Sequence, residues 1–494
     1  MPFEVSEEFI RYLMDQNQQL LDQNNQLNEN ISEANKQIAD LTAQIEALTQ
    51  KIADLTEKKN KNSNNSSKPP SSDGLNKPNK KRSLREKTDK KQGGQPGHEG
   101  HHLEIIGEPD EVIELKPKQC QSCPNWENCK GNACIGEKRY RVDIKVVQTL
   151  ERYDRIDVEC PLCGKELQGE FPEDIKGEIQ YGTYISALLV VLSTVGAVST
   201  NRIREIFSTI LNLPISKGTI VTMVSRCAKK TEPLLRTIKA RLINAPILNL
   251  DETGTRVEGK LGWVHCACTT KYTLLELCSK RGFVGMEEMS VLPNFKGIAQ
   301  HDCWKSYWEY DVKHAVCNSH ILRELNGITE NYPEQGWAGN FKALLKTMKA
   351  TKDILIFNGE TEALKYYVDL YERQYDEIIK KGYEKNPLKP KEPGKRGVQK
   401  KGKIRALIER LENYKAEVCL FFRNFNVEFD NNQAERDVRN VKVKTKVSGC
   451  FRSKDGLKDY LAVMSVVGTA RKHGKNAFQT ILNIFNGNLE CVID

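Results

Sequence analysis

The sequence lacks what a membrane protein needs. Its 494 residues contain no apolar run approaching the roughly 18 residues of a spanning helix. The stretch Met1 to Arg11 also lacks the basic-then-apolar order of a secretion signal, so the expected setting is the cytosol. Without export, disulfides are not expected, and the 15 cysteines read instead as metal ligands and buried thiols. Neither sign of charge dominates: 75 Lys and Arg face 66 Asp and Glu, a net charge of +9. That excess is unevenly placed. Basic clusters at Lys77–Lys91 and Lys380–Arg405 point to a polyanionic partner. Residues 60–104 hold almost no apolar side chains and are rich in Asn, Ser, Pro, Lys and Gly, so they read as a flexible basic linker.

What is present falls into segments, with a coiled coil expected over 1–59. Ile10, Asn17, Asn24, Ile31, Ile38, Ile45 and Ile52 form one heptad seam, and Leu13, Leu20, Leu27, Ala34, Leu41, Leu48 and Leu55 the other. Isoleucine on one seam with leucine on the other favours two parallel strands, and Asn17 and Asn24 would set register. The expected product is a homodimer.

Over 105–170, Cys120-x2-Cys123 and Cys160-x2-Cys163 have the spacing of two thiolate pairs closing on one structural zinc ion. Cys129 and Cys134 lie between them and leave the ligand set open. Residues 171–245 read as a helical DNA-binding domain, with helices at Tyr184–Val195, Arg202–Leu211 and Ser216–Leu235. Ser216 is placed to cap the third helix, and Lys217 and Thr219 stand at its N-terminus, as in a helix-turn-helix.

The apolar run Pro246-Ile247-Leu248-Asn249-Leu250 ends in Asp251 and Glu252, which reads as a buried strand terminating in carboxylates. Strands at Gly262–Cys268 and Lys271–Leu277 suggest a hairpin. A fourth, Phe295–Asp302, again ends in an acid, and Lys313–Cys317 is a fifth. Three meandering strands followed by helix-linked ones describe a mixed sheet of ribonuclease H type. This core spans 246–330, resumes at 426–494, and is interrupted by a helical insertion over 331–425. Asn431–Asn440 is an amphipathic helix carrying Glu435, with Lys442 two turns further on, and Asp455–Leu482 is helical. The fold class is therefore multidomain α+β.

Two strand-end aspartates, Asp251 and Asp302, with Glu435 from a helix, supply the oxygen donors that a pair of Mg²⁺ or Mn²⁺ ions requires. Such ions, about 4 Å apart, serve phosphodiester chemistry. Lys442 is placed to hold a phosphate. Cys317-x2-His320 has metal-ligand spacing, with Cys303 as a candidate third ligand. A buried cysteine beside a hydrogen-bonded histidine is the simpler account. Cys266 and Cys268 read as core, and His98, His101 and His102 as linker residues.

The chain resembles transposases of the insertion sequence 66 family over nearly its whole length. The resemblance rests on Ser66-Ser67-Lys68-Pro69-Pro70-Ser71-Ser72-Asp73, Gly93-Gly94-Gln95-Pro96-Gly97-His98, the paired cysteines, Asp251-Glu252-Thr253, Asp302, Cys317-x2-His320 and Asn432-x2-Glu435-Arg436. It implies a ribonuclease H-like fold and a catalytic Asp-Asp-Glu triad at Asp251, Asp302 and Glu435. It also implies DNA cleavage and strand transfer at the terminal inverted repeats of a bacterial or archaeal element, with target DNA and accessory proteins of the element as further partners. The protein would act in the nucleoid. The alternatives are a non-catalytic zinc-containing DNA-binding regulator or domesticated remnant, and a nuclease that cuts without joining.

Overall fold

The computed structural model describes residues 6–62, 65–66, 107–144, 146–388 and 401–493. The Lys77–Lys91 cluster, the Gly93–His98 motif, His101 and His102 lie outside these residues. So do most of the Ser66–Asp73 motif and most of the basic stretch within Asn386–Gly402. The chain forms two units, one of Met1–Pro78 with Ile179–Asp494, the other of Asn79–Glu178.

The larger unit begins with α1 (Glu7–Asn60), capped by the Ser6 hydroxyl. Both heptad seams are solvent-exposed along it, from Ile10 at 44% to Leu55 at 62%. The smaller unit carries a short antiparallel hairpin, β1 (Asp157–Glu159) with β2 (Glu166–Gln168). Its turn holds the second cysteine pair. Cys160 N donates to Lys165 O at 2.8 Å, and Gly164 takes the left-handed φ of +66° that such a turn requires.

Four helices follow: α2 (Thr183–Ser193), α3 (Thr200–Ile210), α4 (Lys217–Lys230) and α5 (Glu232–Ile243). Ser216 caps α4 by accepting from Thr219 N at 3.0 Å, as its position suggests. The single helix expected over Ser216–Leu235 is in fact two. Pro233 stands in the first turn of α5, where its missing N–H costs nothing, and it ends α4 at Thr231.

The sheet has five strands in the order β5-β4-β3-β6-β7. They are β3 (Ile247–Val257), β4 (Lys260–Cys268), β5 (Thr273–Cys278), β6 (Ile298–His301) and β7 (Lys313–Val316), with α6 (Phe283–Met289) between β5 and β6. β3, β4 and β5 form an antiparallel meander, while β6 and β7 run parallel to β3. Glu258 and Gly259 join β3 to β4, both at positive φ (52° and 76°), which matches a two-residue hairpin turn.

One expectation is corrected here. Asp251 does not terminate its strand, because β3 runs on to Val257, paired throughout with β4. Only its pairing with β6 stops early, at Asn249 with Gln300. The apolar run marks where the parallel neighbour ends, not where the strand ends. The polar continuation stays a strand because the hairpin partner hydrogen-bonds it.

Side-chain alternation along β3 sends Leu248 and Leu250 to one face, in a core with α2–α5. The opposite face meets α11 (Asn432–Ser448), where Thr255 and Thr445 hydroxyls are 2.7 Å apart. Val264, Cys266 and Cys268 pack there against Ala434, Val438 and Val441. A third core forms between β7 and α11 from α7 (Asn318–Asn331), α8 (Gly336–Phe357), α9 (Lys365–Lys385) and α10 (Lys403–Asn413). Two further helices, α12 (Lys454–Lys472) and α13 (Ala477–Asn486), close the unit. No described helix is long and apolar enough to cross a membrane.

Candidate active site

Neutral amides build the frame of the site. Asn249 on β3 donates to Gln300 Oε1 on β6 at 3.1 Å and to Asn431 Oδ1 at 2.9 Å. Asn431, 2% exposed at the start of α11, donates through Nδ2 to Leu250 O at 2.6 Å, and its backbone N–H meets Cys317 Sγ at 3.2 Å. Gln300 Nε2 donates to Glu428 O at 2.7 Å. These bonds tie two neighbouring strands and the head of one helix together, with the buried polar atoms satisfying one another. One or two residues beyond them come Asp251, Asp302 and, a turn into α11, Glu435.

Asp251 is half-buried, and its carboxyl is raised well above the usual range. Burial is the largest cause, followed by the negative charges of Glu252, Glu435 and Asp302. Asp302 is pushed up to about 6 by burial and by Glu252, against the lowering effects of Trp304 N–H, Arg281 and Arg410. Asp302 and Glu435, both distant from it in sequence, therefore act on Asp251, although the three acids do not form a grouping of ligand atoms within 4.8 Å among the described residues. Glu435 is held from α7, with Arg323 Nη2 at 3.2 Å and His320 Nδ1 at 3.9 Å from its Oε1. Cys317, His320 and Glu435 present ligand atoms within 4.8 Å of one another, and Cys303 is not among them. Cys317 is fully buried.

Glu252 projects to the other face of β3, its side chain 1% exposed, where it accepts from Arg281 at 2.7 Å and from the Tyr307 hydroxyl at 2.6 Å. The Arg281 guanidinium lies over the Trp304 ring at 4.0 Å. Lys442 is half-buried and donates to Gly254 O. Burial, then Lys446, lowers its ammonium pKa. Lys444 donates to Ser193 O at 2.7 Å and Val198 O at 3.2 Å, linking α11 to the end of α2.

Sequence reasoning did not single out Asn249, Gln300, Asn431, Arg323, Arg281 or Tyr307. Asn249 and Gln300 carried a usable signal: each is an amide inside an apolar strand, two residues before an acid. Cys266 and Cys268 are core residues as expected, 1% and 0% exposed. They also form the second grouping of possible ligand atoms, with Asp437. Asp437 is already paired with Lys472 at 2.7 Å. Among the described residues, no such grouping of three includes Cys120, Cys123, Cys160 or Cys163.

The family model of the Transposase IS66 family matches residues 178–459. The chain belongs to that family. The matched span runs from just before α2 through the sheet, the helices between β7 and α11, and α11 itself, so it contains Asp251, Asp302, Glu435 and Lys442. A second model, of a family of unknown function (DUF6444), matches residues 11–104. No curated protein matches the chain. Membership assigns the protein a transposase role, with DNA as the molecule acted on, and the nuclease and transferase chemistry general to transposases.

Proposed function

We propose that the protein is an Asp-Asp-Glu transposase that cleaves DNA at an element's terminal inverted repeats and joins the freed 3′ ends to target DNA. One observation carries this reading: the Asn249–Gln300–Asn431 frame brings two strands and the head of α11 together, and there Glu435 and Asp302 both raise the carboxyl of the half-buried Asp251. Mutual repulsion of this kind costs stability unless a cation relieves it. The donors are oxygens only, which suits hard ions such as Mg²⁺ or Mn²⁺. The strand order, an antiparallel meander extended by two parallel strands, supports a ribonuclease H-like core.

Asp251, Asp302 and Glu435 would hold the metal pair. When bound, the ions would neutralise charge at the scissile phosphate and make an oxygen nucleophile available. The residues' own work is positioning. The Asn249–Gln300–Asn431 frame sets the spacing of the acids, and Arg323 holds the Glu435 carboxylate ready. Arg281 pairs with Glu252 and Tyr307 donates a hydrogen bond to it, which holds this fourth carboxylate on the other face of β3, from where its charge still acts on Asp251 and Asp302. Lys442 would exchange its bond to Gly254 O for a phosphate oxygen. Outside the core, α1 would pair two copies along its exposed seams. Helices α2–α4 would contact the repeats, and the cysteine pairs would hold a structural Zn²⁺.

The test is cleavage and joining of end-containing DNA with Mg²⁺. Asp251→Asn should lose activity by a factor of about 1,000 or more while keeping its melting transition, since removing a metal ligand removes transition-state stabilisation. Wild-type activity in that variant would defeat the assignment. Cleavage without joining in the unmodified protein would reduce it to a nuclease.

A further inference from the structure

The residues just after α1 are polar in sequence, yet two of them are buried. Asn65 and Ser66 are 7% and 6% exposed. They sit on the C-terminal half of α7, and Gly327 makes room for them. A Cβ added at Gly327 would lie 2.4 Å from the Asn65 carbonyl oxygen, a backbone atom that cannot swing aside. A glycine inside a helix costs about 1 kcal/mol relative to alanine, so α7 gives up helix stability to keep this gap.

The polar groups around the gap are matched. Asn65 Nδ2 donates to Glu330 Oε2 at 2.9 Å and to Asn60 O at 3.0 Å, and Asn65 Oδ1 accepts from Asn62 N at 2.7 Å. The amide must be Asn rather than Asp, because its NH₂ faces a carboxylate. Asn60 Nδ2 donates to Asn331 Oδ1 at 3.1 Å. Glu57 accepts from Tyr332 at 3.3 Å and from Lys403 at 2.7 Å. Lys403 is exposed and its pair with the half-buried Glu57 adds little, so the gap and the Asn65 amide dominate. The opposite end of α7 carries His320 and Arg323, which reach Glu435.

We propose that Glu57–Asn62, together with Asn65 and Ser66, dock on the C-terminal half of α7, locked at Gly327, which makes the α1 arm a rigid extension of the catalytic core. Asn65 immediately precedes the Ser66–Asp73 motif, so the dock ends where that motif begins. In a dimer paired through α1, the dock fixes how two cores are held for two DNA ends. That consequence rests on the proposed function, whereas the dock itself does not.

Hydrogen exchange on the full chain tests it. Gly327→Ala should speed amide exchange over 57–66 by about tenfold or more, although alanine strengthens an isolated helix. Gly339→Ala, where the nearest side-chain atom is 3.9 Å away, should leave 57–66 unchanged. Asn65→Asp sets a carboxylate against Glu330 and should release the segment without altering α7. Adding Glu330→Gln should restore part of the protection. Wild-type exchange in both Gly327→Ala and Asn65→Asp would overturn the dock. In joining assays, Gly327→Ala should keep single-end cleavage and lose about tenfold in paired-end joining. Equal loss of both would refute the link to joining, and Asp251→Asn separately judges the catalytic reading.

Discussion

Cys266 and Cys268 lie in a packed core, whereas Cys129, Cys134 and Cys163 are exposed and Cys120, Cys123 and Cys160 only partly covered. The same residue type is used differently in the two units. No described residue between Gly107 and Glu178 is buried, and Leu150 and Leu162 are 99% and 97% exposed. Three-residue strands in a lone hairpin are marginal in water. The sheet unit, by contrast, closes three apolar clusters around its strands. Where apolar burial is missing, order has to come from another source, and the cysteine pairs are the residues best placed to supply it.

The largest predicted effect tests that contrast. The purified chain should carry about one zinc ion, and removing it with a chelator should destabilise residues 107–178 by something on the order of 10 kcal/mol, the usual scale for structural zinc. Exchange over 107–178 should become fast while the sheet keeps its protection. Cys160→Ser should behave as the metal-free protein does. Metal analysis without zinc, or unchanged exchange in Cys160→Ser, would show that the small unit is held by something else.

A smaller effect is expected at the frame of the sheet site. Asn431→Ala strips partners from Asn249 and Leu250 O in a buried setting. The expected cost is about 3 kcal/mol in urea unfolding, from groups left unsatisfied. Cleavage should fall through kcat rather than KM, because the variant moves Glu435 without touching DNA. The 107–178 unit should not respond at all. A variant with normal kcat would mean that the amides serve stability alone.

How much of this was legible in the sequence follows from the range of each interaction. The five strands, the helices between β7 and α11 and the helix bearing Glu435 show in local periodicity, because one buried face imposes its spacing on each segment. Ser216 as a cap was equally local. The run-on of β3 past Asp251 was not legible, since Thr253 and Thr255 owe their strand conformation to β4 and to Thr445. The division of the third helix at Pro233 carried a plain signal in the proline itself. Asp251 and Asp302 stood out as acids closing apolar runs. Their frame did not, because Asn249, Gln300 and Asn431 have meaning only once strands distant in sequence lie side by side. Gly327 is a further case: nothing near it in sequence announces that Asn65 fills its gap.

The smallest effect concerns a group whose burial weakens the sheet unit. Asp302 is pushed up from 3.8 to about 6. Between those values the folded protein keeps a proton that the unfolded chain has released. The native state therefore binds more protons than the unfolded state, and stability falls as pH rises from about 4 to 6, staying low above that. Asp302→Asn removes the ionisation and keeps an oxygen for Trp304 N–H. At pH 7 without divalent metal, this variant should be more stable than the unmodified protein by up to about 2 kcal/mol. The two should unfold alike near pH 4. Added Mg²⁺ should then stabilise the unmodified protein and not the variant, because metal binding rewards the ionised carboxylate that burial penalises. Thermal unfolding across pH, with and without Mg²⁺, reads all three outcomes. A variant that is less stable at pH 7 without metal would show that Asp302 is already compensated by Arg281 and Arg410, leaving no strain for a cation to relieve.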